Sequence, residues 1–592
     1  MHRLRSTRQD TFSNHSWPRV VAAASVLVAL GAGGFFLTRP SSSTDTTLAV
    51  TTPSSPTSTA PAEISDSSTA AISQEVPGGP ARGGTVRVGV VGGGGTTFNP
   101  YLIGSDRALV PVHHLVAASA FRLDPLSHDL LPGVIEALPT LGNGGLTVNA
   151  DGSMDVAIRV SPDARWSDGN PIRAADFLRT YEVVMAHRAV IFPDVVAEYD
   201  RIAVGSLAVT DDLVSFRLDR TGLDLVGLFD QLLPAHQVPV QTFTTAWNSR
   251  SWLSGGPFQR VEASEALIRL EPNLNYQRVD ESGGALPYLD AIEVVTFGSI
   301  DEAVTALGEG SIDIVGPIED PALVAAAESL DDVAIDVRRG PGWEQIGIQL
   351  GPGALEVNPA SVVDRRIIRQ AIAGALDRQA IASAVQGPYG VALPSIVGVG
   401  WPGADVGAWD TTIDLPGRLT GVTLNLVITG GDAHRVQIAD LVTDQLSAAG
   451  VDVVLVTDDP GQFFANRILP GQFELAEWAW RSSPGPGAVA DDLLSWFTDG
   501  GRAELDFSGW TSHPDGTRFR TLVTGLDAVL SPLDLAERLA LVEAALAESV
   551  PLIPLYADLN VGAANVRVEG FTHSALPGGI LAGGAAWWVA GE

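Results

Sequence analysis

Hydrophobic and polar residues alternate over Met154–Val160. Met154, Val156, Ile158 and Val160 fall on one side and Asp155, Ala157 and Arg159 on the other, which predicts a half-buried strand. Phe177, Leu178, Tyr181, Val184 and Met185 then recur at helical spacing. Between them Ser167-Asp-Gly-Asn-Pro171 predicts a tight turn, with Gly169 at positive φ, Pro171 fixing the entry to the helix and Trp166 as the packing anchor. A second pattern is more complete. Val422–Ile428 reads as a strand, Thr429-Gly-Gly-Asp432 as a turn ending in an N-cap, and Ala433–Ala449 as a helix with Ile438, Leu441, Val442 and Leu446 on one side. Gly450 stops that helix and Val451–Val456 is the next strand, a crossover that predicts a parallel α/β lobe.

Further strands are predicted at Leu213–Leu218, Ala266–Leu270, Ile292–Phe297, Ile312–Val315 and Gly342–Leu350, and helices at Asp224–Leu233, Ile300–Leu307 and Arg365–Leu376. No internal repeat of solenoid or propeller period is present. The glycine run Gly92–Gly95 follows a strand over 83–91, but Thr96-Thr97-Phe98-Asn99-Pro100 does not open a helix. A dinucleotide site needs one, so the run reads as a loop of close backbone approach.

The N-terminus breaks the pattern. Arg3, Arg5, Arg8 and Arg19 precede an apolar run from Val20 to Leu37, just long enough to span a bilayer, which predicts export as either a cleaved signal peptide or a retained anchor over 1–39. Residues 40–82, rich in Ser, Thr, Pro and Ala, read as a disordered linker.

A chain of 592 residues is too long for one core, so two or more lobes are expected. Lys+Arg 36 against Asp+Glu 69, a net charge of −33, argues against nucleic acid as a partner. No cysteine and no lysine are present. Disulfides, thiolate sites, a lipid-modified cysteine, a Schiff-base lysine and a P-loop lysine are all excluded. No catalytic motif occurs, no sequence feature demands a cofactor, and His113-His114, adjacent and so pointing apart on a regular element, predict no metal site.

Several short segments stand out in order along the chain. They are Gly83-Gly-Thr-Val-Arg-Val88 with Asn99-Pro100; Ala164-Arg-Trp-Ser-Asp-Gly-Asn-Pro171 with Ala174-Ala-Asp-Phe177; Gly255-Gly-Pro-Phe258; Glu271-Pro-Asn-Leu-Asn-Tyr276; and Leu307-Gly-Glu-Gly-Ser-Ile-Asp-Ile314. Asp364-Arg-Arg-Ile-Ile-Arg-Gln-Ala371, Ala375-Leu-Asp-Arg-Gln-Ala-Ile381 and Val550-Pro-Leu-Ile-Pro-Leu-Tyr556 complete the set. In this order the segments resemble the peptide/nickel-type (family 5) extracellular solute-binding proteins of ABC importers. The resemblance implies an α/β, two-lobed periplasmic-binding-protein-like fold (type II) with an extra domain, closing on a ligand by hinge motion. Lobe I would comprise 83–121, 233–337 and 560–592, the extra domain 122–232, and lobe II 338–559.

The implied function is delivery of a peptide or other small polar solute to ABC permease subunits by an exported monomer, secreted or held at the membrane by its N-terminal helix. A tethered sensor of the same fold is the alternative, supported by the missing lipid-attachment cysteine. In peptide-binding relatives a stretch resembling Trp-x-Ala-Asp-Tyr places its aspartate on the peptide amine; here it reads Glu477-Trp-Ala-Trp-Arg-Ser-Ser-Pro484, with Arg481 at that position. An arginine cannot hold an ammonium. It either clamps a carboxylate or phosphate, or it points to solvent or pairs with Asp491 or Asp492. Trp478 and Trp480, of one parity on a strand, form either an apolar wall for the ligand or core packing, with Ser482 beside them and Trp343 and Tyr101 as further candidates.

Overall fold

The crossover at Val422–Val456 folds as its pattern dictates. A computed structural model describes residues 80–590 other than 93–96, 107–108, 248–252, 410–414, 416, 499–504, 527 and 577. The glycine loop, the apolar N-terminal run and most of the linker therefore lie outside the described residues. Strands are numbered in chain order: β1 (Thr85–Val91), β2 (Phe121–Leu123), β3 (Leu130–Pro132), β4 (Leu146–Val148), β5 (Met154–Arg159), β6 (Ala208–Thr210), β7 (Leu213–Leu218), β8 (Phe258–Ala263) and β9 (Leu267–Pro272). They continue with β10 (Ala291–Phe297), β11 (Ile314–Ile318), β12 (Val333–Ile348), β13 (Thr423–Thr429), β14 (Asp452–Asp458), β15 (Leu475–Arg481), β16 (Leu552–Asn565), β17 (Val568–Glu569) and β18 (Trp588–Val589). β13 and β14 are parallel, joined by the helix Ala433–Ala448, whose N-cap Asp432 accepts from His434 N and Arg435 N. Gly450, at φ +91°, ends that connection.

Ten strands form one sheet in the order β14-β13-β15-β12-β16-β11-β1-β10-β9-β8. Its two halves meet in β12 and β16, which pair antiparallel along their length. Val333–Arg339 lies against Leu559–Asn565, and Trp343–Gly347 against Leu552–Ala557, with a shift of register between Arg339 and Trp343. β12 spans 16 residues where the pattern predicts a strand only from Gly342, and Arg338-Arg-Gly-Pro-Gly342 is the point where it passes from one half of the sheet to the other.

A separate four-stranded sheet, β4-β5-β7-β6, carries the helices Ala174–Ala186 and Pro193–Asp200. Here the strand–turn–helix predicted at 154–186 is held by one carboxylate. Asp176 Oδ2 accepts from Trp166 Nε1 at 3.1 Å and from Arg173 N at 2.9 Å, and its Oδ1 accepts from Ala235 N at 2.7 Å. Trp166 is 1% exposed and Gly169 sits at φ +85°. The helix expected at Asp224–Leu233 is absent. Its apolar residues are buried as the periodicity suggests, but Phe229 takes the left-handed conformation at φ +56° and the backbone bonds outward, Leu232 N to Ala118 O and Ala120 N to Phe229 O. Phe177, Tyr199 and Phe216 surround the Phe229 ring, so tertiary packing overrides the local helical spacing.

The arginine of Asp364-Arg-Arg-Ile-Ile-Arg that matters to the fold is Arg369, fully buried on the helix Arg366–Ala375. It donates to the carbonyls of Ser549, Val363 and Asp364, each at 2.9 Å, and to Asp515 Oδ2 at 2.6 Å. Arg369→Met would orphan three carbonyls and a carboxylate, and a loss on the order of 3 kcal/mol is expected. Urea unfolding of the variant with an unchanged midpoint would contradict this account.

Candidate functional site

β12 and β15 pair in strict antiparallel register from Gly342↔Arg481 to Ile348↔Leu475. Alternate residues of a strand face opposite sides, and cross-strand partners share a side. One face therefore carries Trp343, Gln345 and Gly347 with Trp480, Trp478 and Ala476. The other carries Gly342, Glu344 and Ile346 with Arg481, Ala479 and Glu477.

The first face is a closed aromatic layer. Trp343, Trp478 and Trp480 are 0%, 3% and 6% exposed. Trp480 stacks on Trp496 at 5.1 Å and on Phe507 at 5.7 Å, Trp343 meets Trp496 edge-on at 5.7 Å, and Phe473 abuts Trp478 at 5.7 Å. Their indole N–H groups are satisfied inside the protein. With its amide oxygen turned toward them, Gln345 accepts from Trp478 Nε1 at 3.1 Å and Trp480 Nε1 at 2.7 Å, while Trp343 Nε1 donates to Ser482 Oγ at 3.2 Å. A Cβ on Gly347 would lie 2.0 Å from Trp478 Cη2, so only glycine leaves room for that ring. Trp496 also walls a cavity of about 160 Å³, shared with Asp224, Ser483, Asp491 and Asp492.

The second face is charged. Arg435, at the start of the helix Ala433–Ala448, reaches Glu344 at 3.1 Å, Glu477 at 3.5 Å and Asp432 at 3.8 Å. One cation thus answers three carboxylates. Glu344 Oε2 and Glu477 Oε1 are both buried without a donor. Burial first, and the neighbouring Glu344 charge second, hold the Glu477 carboxyl well above the usual carboxylate range. Asp558 lies over the same face, since a Cβ on Gly342 would stand 2.0 Å from its Oδ2. Arg481, paired with Gly342, leaves the sheet on that side and is exposed. Glu319, one residue beyond β11 in the other half of the sheet, is also exposed. Its charge and that of Arg481 both act on Asp558, which burial pushes up to about 7.

The six residues singled out from sequence are thus divided. Trp343, Trp478, Trp480 and Ser482 are brought together in the dry layer. Tyr101 is not part of it: 4% exposed, it packs edge-on against Phe243 at 5.7 Å and donates to the Gln231 carbonyl. Arg481 alone is exposed, and on the opposite face. Nor is it taken up by the neighbouring aspartates. Asp491 pairs with Arg220, and Asp492 accepts from Ser483 N at 2.6 Å and Ser483 Oγ at 3.0 Å. Asp558, Glu319, Glu344, Arg435 and Trp496 were not legible as site residues; only the parity of Glu477 and Arg481 on one strand hints at a charged face.

Residues 146–503, well over half the chain, match the sequence profile of bacterial extracellular solute-binding proteins, family 5, middle region. The chain belongs to this family. The family is one of binding proteins rather than enzymes. This family 5 protein is 27% identical over 244 residues to the oligopeptide-binding protein OppA of Mycobacterium tuberculosis, a match covering 40% of the chain and 38% of OppA. Among solved structures it resembles the periplasmic murein tripeptide-binding protein MppA in its unliganded open form, with 13% identity and a TM-score of 0.66 over 86% of this chain and 98% of that one. It also resembles the oligopeptide-binding protein AppA from Bacillus subtilis in complex with a nonapeptide, with 19% identity and a TM-score of 0.52 over 86% of this chain and all of that one. The shared fold is the mixed α/β, two-lobed binding-protein fold with an extra domain. Among the described residues no helix is long and apolar enough to cross a membrane.

Two tests address this geometry. Gly347→Ala is expected to cost about 1–3 kcal/mol by overpacking against Trp478, read from denaturant midpoints; a neutral result would mean the tryptophan layer gives way easily. The second concerns Asp492, which burial pushes up to about 8. Its folded value lies above the unfolded one, so the folded protein holds a proton that the unfolded chain releases. That contribution is complete below about pH 4 and is lost as pH rises through about 8. Asp492→Asn keeps an acceptor for Ser483 N and a donor for Ser483 Oγ but cannot ionise. Its melting temperature relative to the parent is expected to climb steadily from pH 4.5 to 8.5, and a constant difference would refute the assignment.

Proposed function

We propose that this protein is an exported solute-binding component that delivers a peptide or other small polar solute to an ABC importer. The lobes are taken as 83–121, 233–337 and 560–592 for lobe I and 338–559 for lobe II, with 122–232 as the extra domain. The observation that carries the reading is that, among the described residues, β12 and β16 are the strands that join the two halves of the large sheet, with the register shift at Arg339–Trp343 read as the hinge. Hinge closure of this type absorbs its dihedral change in a few residues at element junctions. Gly340 and Gly342 supply such residues, and the charged face of β12 and β15 opens beside them. The relatives that carry a tripeptide or nonapeptide in their names support a peptide-sized solute. The arginines and apolar run of residues 1–39 support export.

Between the extra domain and lobe II, His128 Nδ1 contacts the Gly400 carbonyl at 2.8 Å, Trp401 Nε1 donates to Asp129 Oδ1 at 3.1 Å, and Arg220 pairs with Asp491. These contacts tie residues 122–232 to residues 338–559.

The test is native mass spectrometry of the full chain purified from its own host, followed by small-angle scattering with and without the solute found. A retained small polar solute is expected, together with a fall in radius of gyration on rebinding. At a hundred times its Kd the solute adds about 2.7 kcal/mol to stability, several degrees of melting temperature. A chain that emerges with nothing bound, and whose melting temperature no peptide or polar solute raises, would not be a solute-binding protein.

A further inference from the structure

The hydrophobic core of the extra domain is continuous with that of lobe I. It runs through Val86, Ile292 and Trp587 on one side and Phe177, Phe216 and Phe229 on the other, and among the described residues none of its buried members comes from residues 338–559. With the lobes as read above, residues 122–232 travel with lobe I, and their contacts with the second lobe lie across the moving interface. The hairpin of β2 and β3 carries two of these contacts. Its tip is shaped by Asp124, whose Oδ1 accepts from Leu126 N at 2.9 Å and Ser127 N at 2.8 Å, and it is tied to lobe I by Ser574 Oγ, which donates to the Pro125 carbonyl at 2.8 Å. There His128 takes the left-handed conformation at φ +59°, which a residue other than glycine adopts where its surroundings hold it. Its Nδ1 meets the Gly400 carbonyl at 2.8 Å, and the adjacent Asp129 accepts from Trp401 Nε1 at 3.1 Å. Further along the same segment, Asp405 pairs with Arg339 at 3.2 Å, at the register shift read as the hinge. Residues 400–405 thus touch both the hairpin and the hinge.

We propose that this hairpin is a pH-sensitive latch, which holds the second lobe closed through His128 and Asp129 and lets it go when His128 takes up a proton. The inference rests on the hinge of the solute-binding reading above and adds control of its opening. With Nδ1 donating to the Gly400 carbonyl, the neutral ring completes the contact, and a second proton would leave a cation in a site only 7% exposed. Burial lowers the proton affinity of His128, and the bond to Gly400 and the charges of Asp124 and Asp129 offset this in part. Those two aspartates belong to its own hairpin. The second lobe presents the Gly400 carbonyl, flanked by Trp401 and Gly485, and lobe I presents the Ser574 hydroxyl, none of them charged. Once the lobes part, the imidazole returns to water and to its ordinary value. The latched form therefore binds the proton less readily than the open form. The latch is at full strength above about pH 6.5 and is lost as pH falls below it.

The chain has no cysteine, so two spin labels can be placed at will: Val204→Cys in the extra domain and Val454→Cys on β14, both at exposed positions. The distance between them is read by pulsed electron paramagnetic resonance in the full chain without added solute. The ratio of long to short distances is expected to rise as pH falls from 7.5 to 5. His128→Asn keeps a donor for the Gly400 carbonyl, suits the left-handed backbone and cannot ionise, so its ratio is expected to be the same at both pH values. Trp401→Phe loses the bond to Asp129 and should raise the ratio about 2- to 10-fold at either pH. A parent ratio that ignores pH, or one that rises equally in His128→Asn, would overturn the switch. A ratio that Trp401→Phe leaves unchanged would overturn the latch itself. Each of these outcomes leaves the solute-binding reading standing, since solute retained in native mass spectrometry decides that separately.

Discussion

One strand, Leu475–Arg481, has to serve two environments, and the two-residue period of the pleat decides how. Trp478 and Trp480 must share a side, and Glu477, Ala479 and Arg481 must share the other. Register with β12 extends this to the neighbouring strand, so an aromatic face and a charged face lie back to back across a single layer of backbone. A slip of one residue would bury Arg481 and Glu477 among tryptophans and expose the rings. The aromatic side resists such a slip in specific ways. Gly347 admits one ring and no other residue would, and Gln345 meets two indole N–H groups at once. The charged face is positioned by the dry one.

The charged face is costly on its own terms. Glu344, Glu477 and Asp432 crowd a single guanidinium, and one buried carboxyl oxygen of each glutamate has no hydrogen-bond donor. Such groups contribute little net stability, because removing charges from water consumes most of what their attraction returns. Their effect is positional. Arg435 ties the helix after β13 to strands β12 and β15, so the segment that turns at Gly340 and Gly342 has a rigid frame on one side. A hinge flanked by glycines needs such a frame if its motion is to be a closure rather than local loosening.

How much of this was legible depended on how local the signal was. Val422–Val456 was readable because cap, stop and apolar stripe all lie within one unit. Leu213–Leu218 was readable for the same reason. The first half of β12 was not, since Arg338-Arg-Gly-Pro-Gly342 has the composition of a loop and only its pairing with β16 keeps it extended. Asp224–Leu233 failed in the opposite sense: its spacing is helical, but Phe229 is claimed by rings from three other segments. At the site, the parity of Trp478, Trp480 and Arg481 was in the sequence. Which face is dry was not, because Trp496, Phe507 and Asp558 settle it from distant parts of the chain.

The most recognisable segment, Ala164–Phe177, shows what separates a signature of fold from a site. Its residues close on themselves: Trp166, Arg173 and Ala235 all bond to Asp176, Ser167 and Ser254 bond each other's backbone and side chain, and Trp166 is out of contact with water. The buried part of the segment, Trp166 and Asp176, is given over to holding its own turn. Arg481 is the reverse case, an exposed guanidinium at the edge of the charged face that forms no ion pair among the described residues. A folded chain satisfies its own polar groups wherever geometry permits. A charge that it leaves exposed and unpaired keeps its bonding capacity for solvent or solute.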